Sequence, residues 1–312
     1  MGWRAELCID YSVRPGPQGA PRTVAQHRHQ GPLRVLQSLY PEGPICHQVM
    51  VHPPSGLAGG DQLDIRLNLA GGTHALLTTP GATRFYRTEG EAASQSLHAV
   101  LESGARLEWL PLENIAYNGC IARNSLRFEL APGAELLGWD ITALGLPAAG
   151  GPFLRGSFQQ HLELTGAWLE RGLIDASDRR LLDGPLGLNG MRCMATLFLA
   201  GGTPMARDQR DELLELARGL IAMHKLEHSA AVTAPNPQTL VLRALAPMVE
   251  PCLNLLQQVR QAWRSAHWGL SAATPRVWIA AGNICPGART ETQCMDLLGA
   301  LQPSLNLNQE QS

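Results

Sequence analysis

The first two-thirds of the chain alternates apolar and polar residues in short segments. The pattern is clearest at residues 3–13, 63–69, 126–130 and 158–164. Successive side chains of a strand point to opposite faces, so each segment predicts a strand with one buried and one solvated face. Glycine- or proline-rich turns follow most of these segments. Together they predict an all-β sandwich, barrel or solenoid, and no fixed repeat chooses among the three.

The last third changes to a helical pattern. Apolar residues recur three or four positions apart over residues 207–226 and again over 247–268, which predicts two amphipathic helices. Gly269 stands where a glycine commonly ends a helix. Because an apolar stripe is unstable in water, we expect both helices to pack on the β-rich body.

These patterns predict a single domain over residues 1–282. Its β body covers residues 1–202 and 229–246, and the first helix interrupts it. Residues 283–312 are polar and poorly patterned. Segments of this kind at chain ends are seldom well ordered, so we expect a flexible C-terminal tail.

Composition narrows the classes of function. The 312 residues are 45% hydrophobic and 17% charged, as in globular proteins. The net charge of −2 provides no excess of positive charge for binding nucleic acid. Lys225 is the lone lysine and follows His224, which excludes a phosphate loop ending in Gly-Lys. No apolar run reaches the roughly 18 residues of a membrane helix.

The seven cysteines are odd in number and never spaced as C-x-x-C. A disulfide framework or a structural zinc site would show paired, closely spaced cysteines. The first residues also lack the apolar core of a signal peptide. We therefore expect reduced thiols and a cytoplasmic protein.

Two groups of residues could bind a metal. His224 and His228 are four residues apart on the first predicted helix and would share one face. With a distant acid they would suit a metal-dependent hydrolase, although a catalytic site needs a third ligand and a base. Cys46, His47 and His52 could contact a borderline metal such as nickel transiently. The alternative for both groups is a purely structural placement.

A proline- and glycine-rich stretch surrounds Asp61. Pro53 and Pro54 restrict His52 to extended geometry, and the glycines that follow permit positive φ. The chain can therefore turn sharply and present Asp61 at a fixed place. One interpretation is that Asp61 caps its own turn, and the other is that it serves as a functional polar group.

The region that contains this stretch resembles the UreD family of urease accessory proteins, also called UreH. Five stretches carry the resemblance in the family's order and spacing: GPLRV, LYPEGP, HPPSGLAGGDQL, LTTPGATRFYR and EWLPLENI. Their family-motif residues are Pro53, Gly59, Gly60, Thr78, Arg84, Tyr86, Glu108, Trp109, Pro111, Glu113 and Asn114. The likeness continues through residues 137–140 and 274–278.

The chain departs from the family pattern in two places. Ser55 interrupts the glycine run after Pro-Pro. Leu146 and Gly151 stand near the positions of a usual Arg and Glu, which removes a possible ion pair or partner contact. Both changes fall in glycine- and proline-rich turns, so we expect the fold to be kept.

The resemblance implies a mainly β, β-helix-like solenoid with a small two-helix subdomain, and no enzymatic activity. Such proteins bind UreF and the GTPase UreG and dock on the urease apoprotein, with UreE as an indirect nickel donor. Nickel is cargo, and no cofactor is resident. By this analogy the polar groups of an internal nickel channel are Asp61, Thr79, Asp140 and Glu170. A purely structural adaptor without a metal conduit is the alternative.

Overall fold

A computed structural model describes residues 2–54, 56–271 and 273–280. The predicted tail at 283–312 lies outside this part. The strands are, in chain order, β1 (Arg4–Pro15), β2 (Pro21–Gln30), β3 (Arg34–Val35), β4 (Cys46–Val51), β5 (Gln62–Leu69), β6 (His74–Thr78), β7 (Thr83–Phe85), β8 (Ala93–Leu101), β9 (Arg106–Leu110), β10 (Asn114–Ala116), β11 (Ile121–Leu130), β12 (Glu135–Leu146), β13 (Gly151–Pro152), β14 (Ser157–Leu164), β15 (Trp168–Asp175), β16 (Cys193–Gly201), β17 (Ala230–Asn236) and β18 (Thr239–Ala246). The helices are α1 (Arg179–Asp183), α2 (Arg207–Met223), α3 (Val249–Trp268) and α4 (Arg276–Ala280).

The strands form two facing sheets. The first sheet has the order β15-β14-β11-β8-β5-β1-β2, and the main path of the second is β17-β18-β16-β12-β9-β6-β4-β3. Within them, β5, β8, β11 and β14 are mutually parallel, as are β4, β6, β9 and β12. The chain alternates between the two sheets and advances by one strand each time. The prediction of a mainly β, solenoid-like body is thus confirmed.

The alternating pattern of the sequence explains how successive coils stack. Leu7, Ile65, Leu97, Leu126 and Leu162 are register partners on five neighbouring strands of the first sheet. All are buried between the sheets. Because each strand brings its apolar side to the same interior, the coils share one continuous core.

The turns between coils require unusual backbone conformations. Gly104 and Gly133 occupy the same corner of two successive coils, with φ of +74° and +80°. The Gly104 N–H donates to the Gly133 carbonyl at 3.2 Å. Glycine adopts positive φ without the steric cost of a Cβ, so these residues allow the corners to lie directly on one another.

The two long helices pack on the outer side of the second sheet. Their apolar side chains join a second buried cluster, which includes Leu213 and Ile221 of α2 and Leu256 and Trp263 of α3. Gly269 ends α3 with φ +64°, as predicted. No helix among the described residues is long and apolar enough to cross a membrane.

The helix predicted over 207–226 ends earlier than expected. α2 stops at Met223, and Lys225 adopts a left-handed conformation with φ +57° that turns the chain out of the helix. His228 follows in the turn before β17. The prediction that His224 and His228 share one helical face is therefore wrong.

Candidate functional site

Asp140 lies in the middle of β12 and faces the interior between the two sheets. Its neighbours Trp139 and Ile141 belong to the apolar cluster under the helices, because successive side chains of a strand point to opposite faces. Asp140 itself is 2% exposed. The β-helix therefore contains a carboxyl group inside its core.

Four side chains donate hydrogen bonds to the Asp140 carboxylate. Oδ1 accepts from Nδ2 of Asn124 at 2.7 Å and from Nδ2 of Asn114 at 3.1 Å. Oδ2 accepts from Nε2 of Gln160 at 2.6 Å and from Oγ1 of Thr142 at 3.3 Å. All four donors are uncharged, so the carboxylate is hydrogen-bonded without being neutralised.

Burial raises the pKa of Asp140 to about 6. Hydrogen bonds from Gln160, Thr142 and Asn124 favour the ionised form and limit this rise, whereas the negative charge of Glu170 adds to it. The carboxyl group therefore takes up or releases a proton close to neutral pH. A group in this state can exchange its proton for a cation.

An amide row crosses the inner face of the first sheet at the level of Asp140. Gln95 on β8, Asn124 on β11 and Gln160 on β14 are register partners on adjacent parallel strands. All three are buried, and Nε2 of Gln95 donates to Oδ1 of Asn124 at 3.2 Å. Polar groups thus follow one another over three coils and converge on Asp140.

A second buried acid, Glu108 of β9, faces the helices on the opposite side of the second sheet. Its Oε2 accepts from Nε and Nη2 of Arg260 at 3.0 and 2.6 Å, and its Oε1 accepts from Nε of Arg264 at 3.0 Å. Nε2 of His74 lies 3.1 Å from Oε1. Burial is the largest influence and opposes ionisation, yet Arg260, His74 and Arg264 hold the pKa of Glu108 well below its usual range.

This buried ion network extends to Glu42, in the loop before β4. Nη2 of Arg264 donates to Oε2 of Glu42, and Nε2 of His47 lies 2.8 Å from Oε1. Burial again disfavours ionisation, but the hydrogen bonds from His47 and Arg264 lower the pKa of Glu42. Two acids and two arginines thus balance one another between the sheet and α3.

The same arginines hold the segment after α3. Nη1 of Arg260 donates to the carbonyl of Ala273 at 2.8 Å, and Nη1 of Arg264 donates to the carbonyl of Ser271. Farther along, the Trp278 ring stacks on Trp139 with centroids 5.4 Å apart. Its Nε1 donates to Oγ1 of Thr78, a family-motif residue, at 2.8 Å. This side of the molecule is organised for packing.

Asp61 closes its own turn just before β5. The buried carboxylate accepts from the N–H of Ala58 through Oδ2 at 2.8 Å and from the N–H of Trp3 through Oδ1 at 3.2 Å. Asp61 thus also links the turn to the start of β1. Of the two interpretations drawn from the sequence, the turn cap describes these contacts.

Thr79 and Glu170 lie apart from Asp61. Oγ1 of Thr79 donates to the carbonyl of Gly81 at 2.9 Å and accepts from the N–H of Leu112 at 2.9 Å. Glu170 is at the far end of the β-helix, on β15, where Nε of Arg243 donates to it at 2.8 Å. The four channel candidates therefore do not form one cluster. Asp140 is the most buried of the four, and hydrogen-bond donors surround it.

Cys46, His47 and His52 are not brought together. Cys46 faces the core between the sheets, where burial raises the pKa of its thiol. His47 points the opposite way, into the buried ion network. The His52 ring lies 4.9 Å from the Trp3 ring, and burial lowers its pKa. In the described ranges, no group of three or more His, Cys, Asp or Glu could hold a metal ion.

Several of the other family-motif residues have packing or turn roles. Trp109 is 1% exposed inside the β-helix, and the carbonyl of Pro111 accepts from Nε1 of Trp139 at 2.6 Å. Gly60 has φ +84°. Burial raises the pKa of Glu113. These residues fix the coil geometry around the site.

The remaining family-motif residues lie at or near the surface. Arg84 and Tyr86, in and just after β7, are exposed, and so is Pro53. A Cβ at Gly59 would come within 1.9 Å of Oγ1 of Thr88. The two departures from the family pattern, Leu146 and Gly151, pair with each other between β12 and β13. An Arg and a Glu at these two positions would therefore be neighbours.

Sequence reasoning missed three of the amides near Asp140 and the arginines of α3. Gln95, Asn124 and Gln160 occupy apolar phases of alternating strands, and a polar residue in such a phase signals a buried polar group. Arg260 and Arg264 are one helical turn apart, on the face that carries the apolar stripe. Both patterns are present in the sequence, but only the folded structure shows which residues these amides and arginines contact.

Comparison with known proteins confirms the resemblance seen in the sequence. The family model for the UreD urease accessory protein matches residues 4–279. Proteins named urease accessory protein UreD are 58% identical in Variovorax paradoxus and 57% in Leptothrix cholodnii, each over 279 residues, and 50% in Methylibium petroleiphilum over 294. Each alignment covers 89% of this chain and 99% of the relative. The chain therefore belongs to the UreD family of urease accessory proteins.

Proposed function

We propose that this protein is a non-enzymatic chaperone subunit of urease maturation, which helps nickel reach the active site of the urease apoenzyme. The family match over residues 4–279 carries this proposal. Relatives named as urease accessory proteins align over 99% of their own length. The similarity thus spans the β-helix and both long helices, and is not confined to a shared motif.

The proposed partners are UreF, UreG and the urease apoprotein, with UreE as an indirect nickel donor. Assigning GTP hydrolysis to UreG agrees with a chain whose single lysine, Lys225, follows no phosphate loop. A net charge of −2 favours protein partners over nucleic acid. Free cysteines such as Cys46 and Cys120 suit a reducing compartment, and we place the protein in the cytoplasm.

Asp140 is the residue that we propose as the main contact for nickel in transit. A carboxylate with amide and hydroxyl neighbours offers oxygen ligands that hold a divalent cation without the tight tetrahedral grip of cysteine and histidine. A pKa of about 6 leaves Asp140 mostly ionised at neutral pH. Its burial in the core supports an internal route over a surface route.

Asp61, Thr79 and Glu170 are secondary contacts in this proposal. Each already has a protein partner: Asp61 its turn, Thr79 two backbone groups and Glu170 the guanidinium of Arg243. A cation at any of them would have to replace those bonds. Cys46, His47 and His52 remain candidates for transient nickel contact only as separate side chains, since they face different surroundings.

Deleting the gene and measuring the host's urease tests the proposed function. We expect urease that is folded and present at normal level, but inactive and poor in nickel. Supplying the intact gene again should restore both nickel content and activity. Normal nickel content in the deletion strain would contradict the proposal.

A further inference from the structure

The two sheets end unevenly at β15. This strand pairs with β14, and no described strand pairs with its other side. The rings of Trp168 and Phe198 lie 6.0 Å apart, and Glu170 forms an ion pair with Arg243, which places β15 over β16 and β18. The second sheet continues beyond this point with β17. The end of the β-helix is therefore a step, with β17 on its longer side.

The side of β17 that faces this step is exposed. Ala231 and Thr233 are register partners of Arg243 and Val241, and Val241 belongs to the core between the sheets. Both Ala231 and Thr233 are exposed, whereas Val232, on the opposite side, is buried under the helices. Farther inside the β-helix, a strand of the first sheet covers the corresponding side. One more strand beside β15 would cover it here.

The outer face of β15 carries two leucines around an arginine. Leu169 and Leu173 are 54% and 60% exposed, and they share a face with Arg171 because residues two apart in a strand point the same way. Arg171 has no ion-pair partner within the described ranges. Cross-strand neighbours on β14 are Glu163, His161 and Gln159. The edge thus offers an apolar–basic–apolar pattern.

The strand at the opposite end of the same sheet is different. β2 begins at Pro21 and ends in five exposed polar residues: Gln26, His27, Arg28, His29 and Gln30. Proline and charged side chains at a free edge discourage pairing with another chain. β15 contains no proline and exposes two large apolar residues instead. Of these two ends, β15 is the one suited to accept a strand.

We propose that β15 binds an extended segment of a protein partner by strand addition, an inference that rests on the proposed role in urease assembly. Backbone hydrogen bonds along the free edge supply affinity, and alternate side chains supply specificity. The segment would place apolar residues opposite Leu169 and Leu173 and an Asp or Glu opposite Arg171. Its inner side would lie over the small side chains of Ala231 and Thr233.

Purified UreF, UreG and urease apoprotein are the probes, each mixed separately with the full chain. Hydrogen exchange of the β15 amides should slow at least about tenfold with one of them. The double variant Leu169→Glu, Leu173→Glu should weaken that binding about tenfold or more, because it introduces charge into the apolar contacts. The matched control is Leu154→Glu, Leu186→Glu, two exposed leucines elsewhere, which should leave the affinity within about twofold.

Three results would overturn strand addition at β15. They are unchanged β15 exchange with all three partners, equal loss of binding in the test and control variants, and β15 protection that rises with the concentration of the chain alone. The last would show that a second copy occupies the edge. None of these bears on the urease test: a wild-type chain that fails to restore urease nickel contradicts the proposed function whatever β15 binds.

Discussion

Glu108 and Asp140 are buried acids on opposite faces of the same sheet, and their surroundings differ in one respect. Glu108 contacts two guanidinium groups, whereas Asp140 contacts amides and a hydroxyl. The pKa of Glu108 is held well below its usual range, and burial raises that of Asp140 to about 6. The same burial therefore has opposite outcomes, decided by whether a cation lies beside the carboxylate.

This difference leads us to assign a structural role to Glu108 and a functional role to Asp140. The charge of Glu108 is balanced by arginines that also hold the segment after α3. These contacts are sufficient to explain why Glu108 is buried. Asp140 has no such cation among its hydrogen-bond partners, and its ionised form destabilises the folded chain at neutral pH. A buried acid kept at such a cost is a candidate for function, and a divalent cation is the missing partner in our account.

The largest expected effect comes from removing an arginine from the buried ion network around Glu108. Arg264→Met would leave Glu42 without an arginine partner and Glu108 with Arg260 as its one remaining arginine. Uncompensated buried charge typically costs about 3–5 kcal/mol, and we expect a loss of that size in the free energy of unfolding, measured with urea.

The matched control for this change is Arg218→Met on α2, where Arg218 pairs with Glu215 at the surface. An exposed pair contributes about 0–1 kcal/mol. If Arg264→Met cost no more than this control, the ion network would not be what holds α3 to the sheet.

Asp140→Asn should change how stability depends on pH. The folded pKa of Asp140 lies near 6, above its ordinary value of 3.8, so the folded chain binds the proton more tightly than the unfolded chain does. The contribution of Asp140 to stability is then largest below pH 4, falls as pH rises towards 6, and stays low above it. Relative to wild type, the variant should gain about 2 kcal/mol between pH 4 and pH 7.5. Urea unfolding at both pH values measures this, and a constant difference would contradict it.

Gln160→Met should have a smaller effect in the opposite direction. It removes the 2.6 Å hydrogen bond to Oδ2 of Asp140, which favours the ionised form. We expect a loss of about 1–2 kcal/mol at pH 7.5 and less at pH 4, where Asp140 is protonated. Gln159→Met, at an exposed position of the same strand, is the control. Equal losses for Gln160→Met at both pH values would argue against ionised Asp140 as the acceptor.

The smallest effect is expected from replacing His224 and His228, the two histidines that the hydrolase alternative would use. His224 follows the last residue of α2 and His228 lies in the next turn, so they do not share a helical face. Replacing both by alanine should leave urease activation unchanged in the complemented deletion strain. Loss of activation with normal expression would revive a metal role for this pair.

The strands at residues 3–13, 63–69, 126–130 and 158–164 and both long helices could be predicted from the sequence because their periodicity is local. Where non-local contacts determine the structure, prediction from the sequence was wrong or could not be made. The end of α2 is one example, since Lys225 leaves the helix by adopting positive φ. The sheet order is another, because alternation predicts strands but not which strands pair.

The candidate site was only partly predictable for the same reason. The family resemblance named Asp140 as one of four channel candidates, but its setting depends on Asn124 and Gln160 from two strands of the facing sheet, 16 and 20 residues away. Arg260 reaches Glu108 across 152 residues. Spacing along the chain does not encode such contacts. It therefore could not distinguish Glu108, which contacts arginines, from Asp140, which contacts only uncharged donors.

The most direct test of the account is the nickel content of urease matured with Asp140→Asn. The variant is supplied to the deletion strain, complex formation with the partners is checked, and nickel per urease is measured by mass spectrometry. We predict intact complexes and a urease as nickel-poor as in the deletion strain. Normal nickel content with intact complexes would contradict the role of Asp140 and favour a structural adaptor that nickel bypasses.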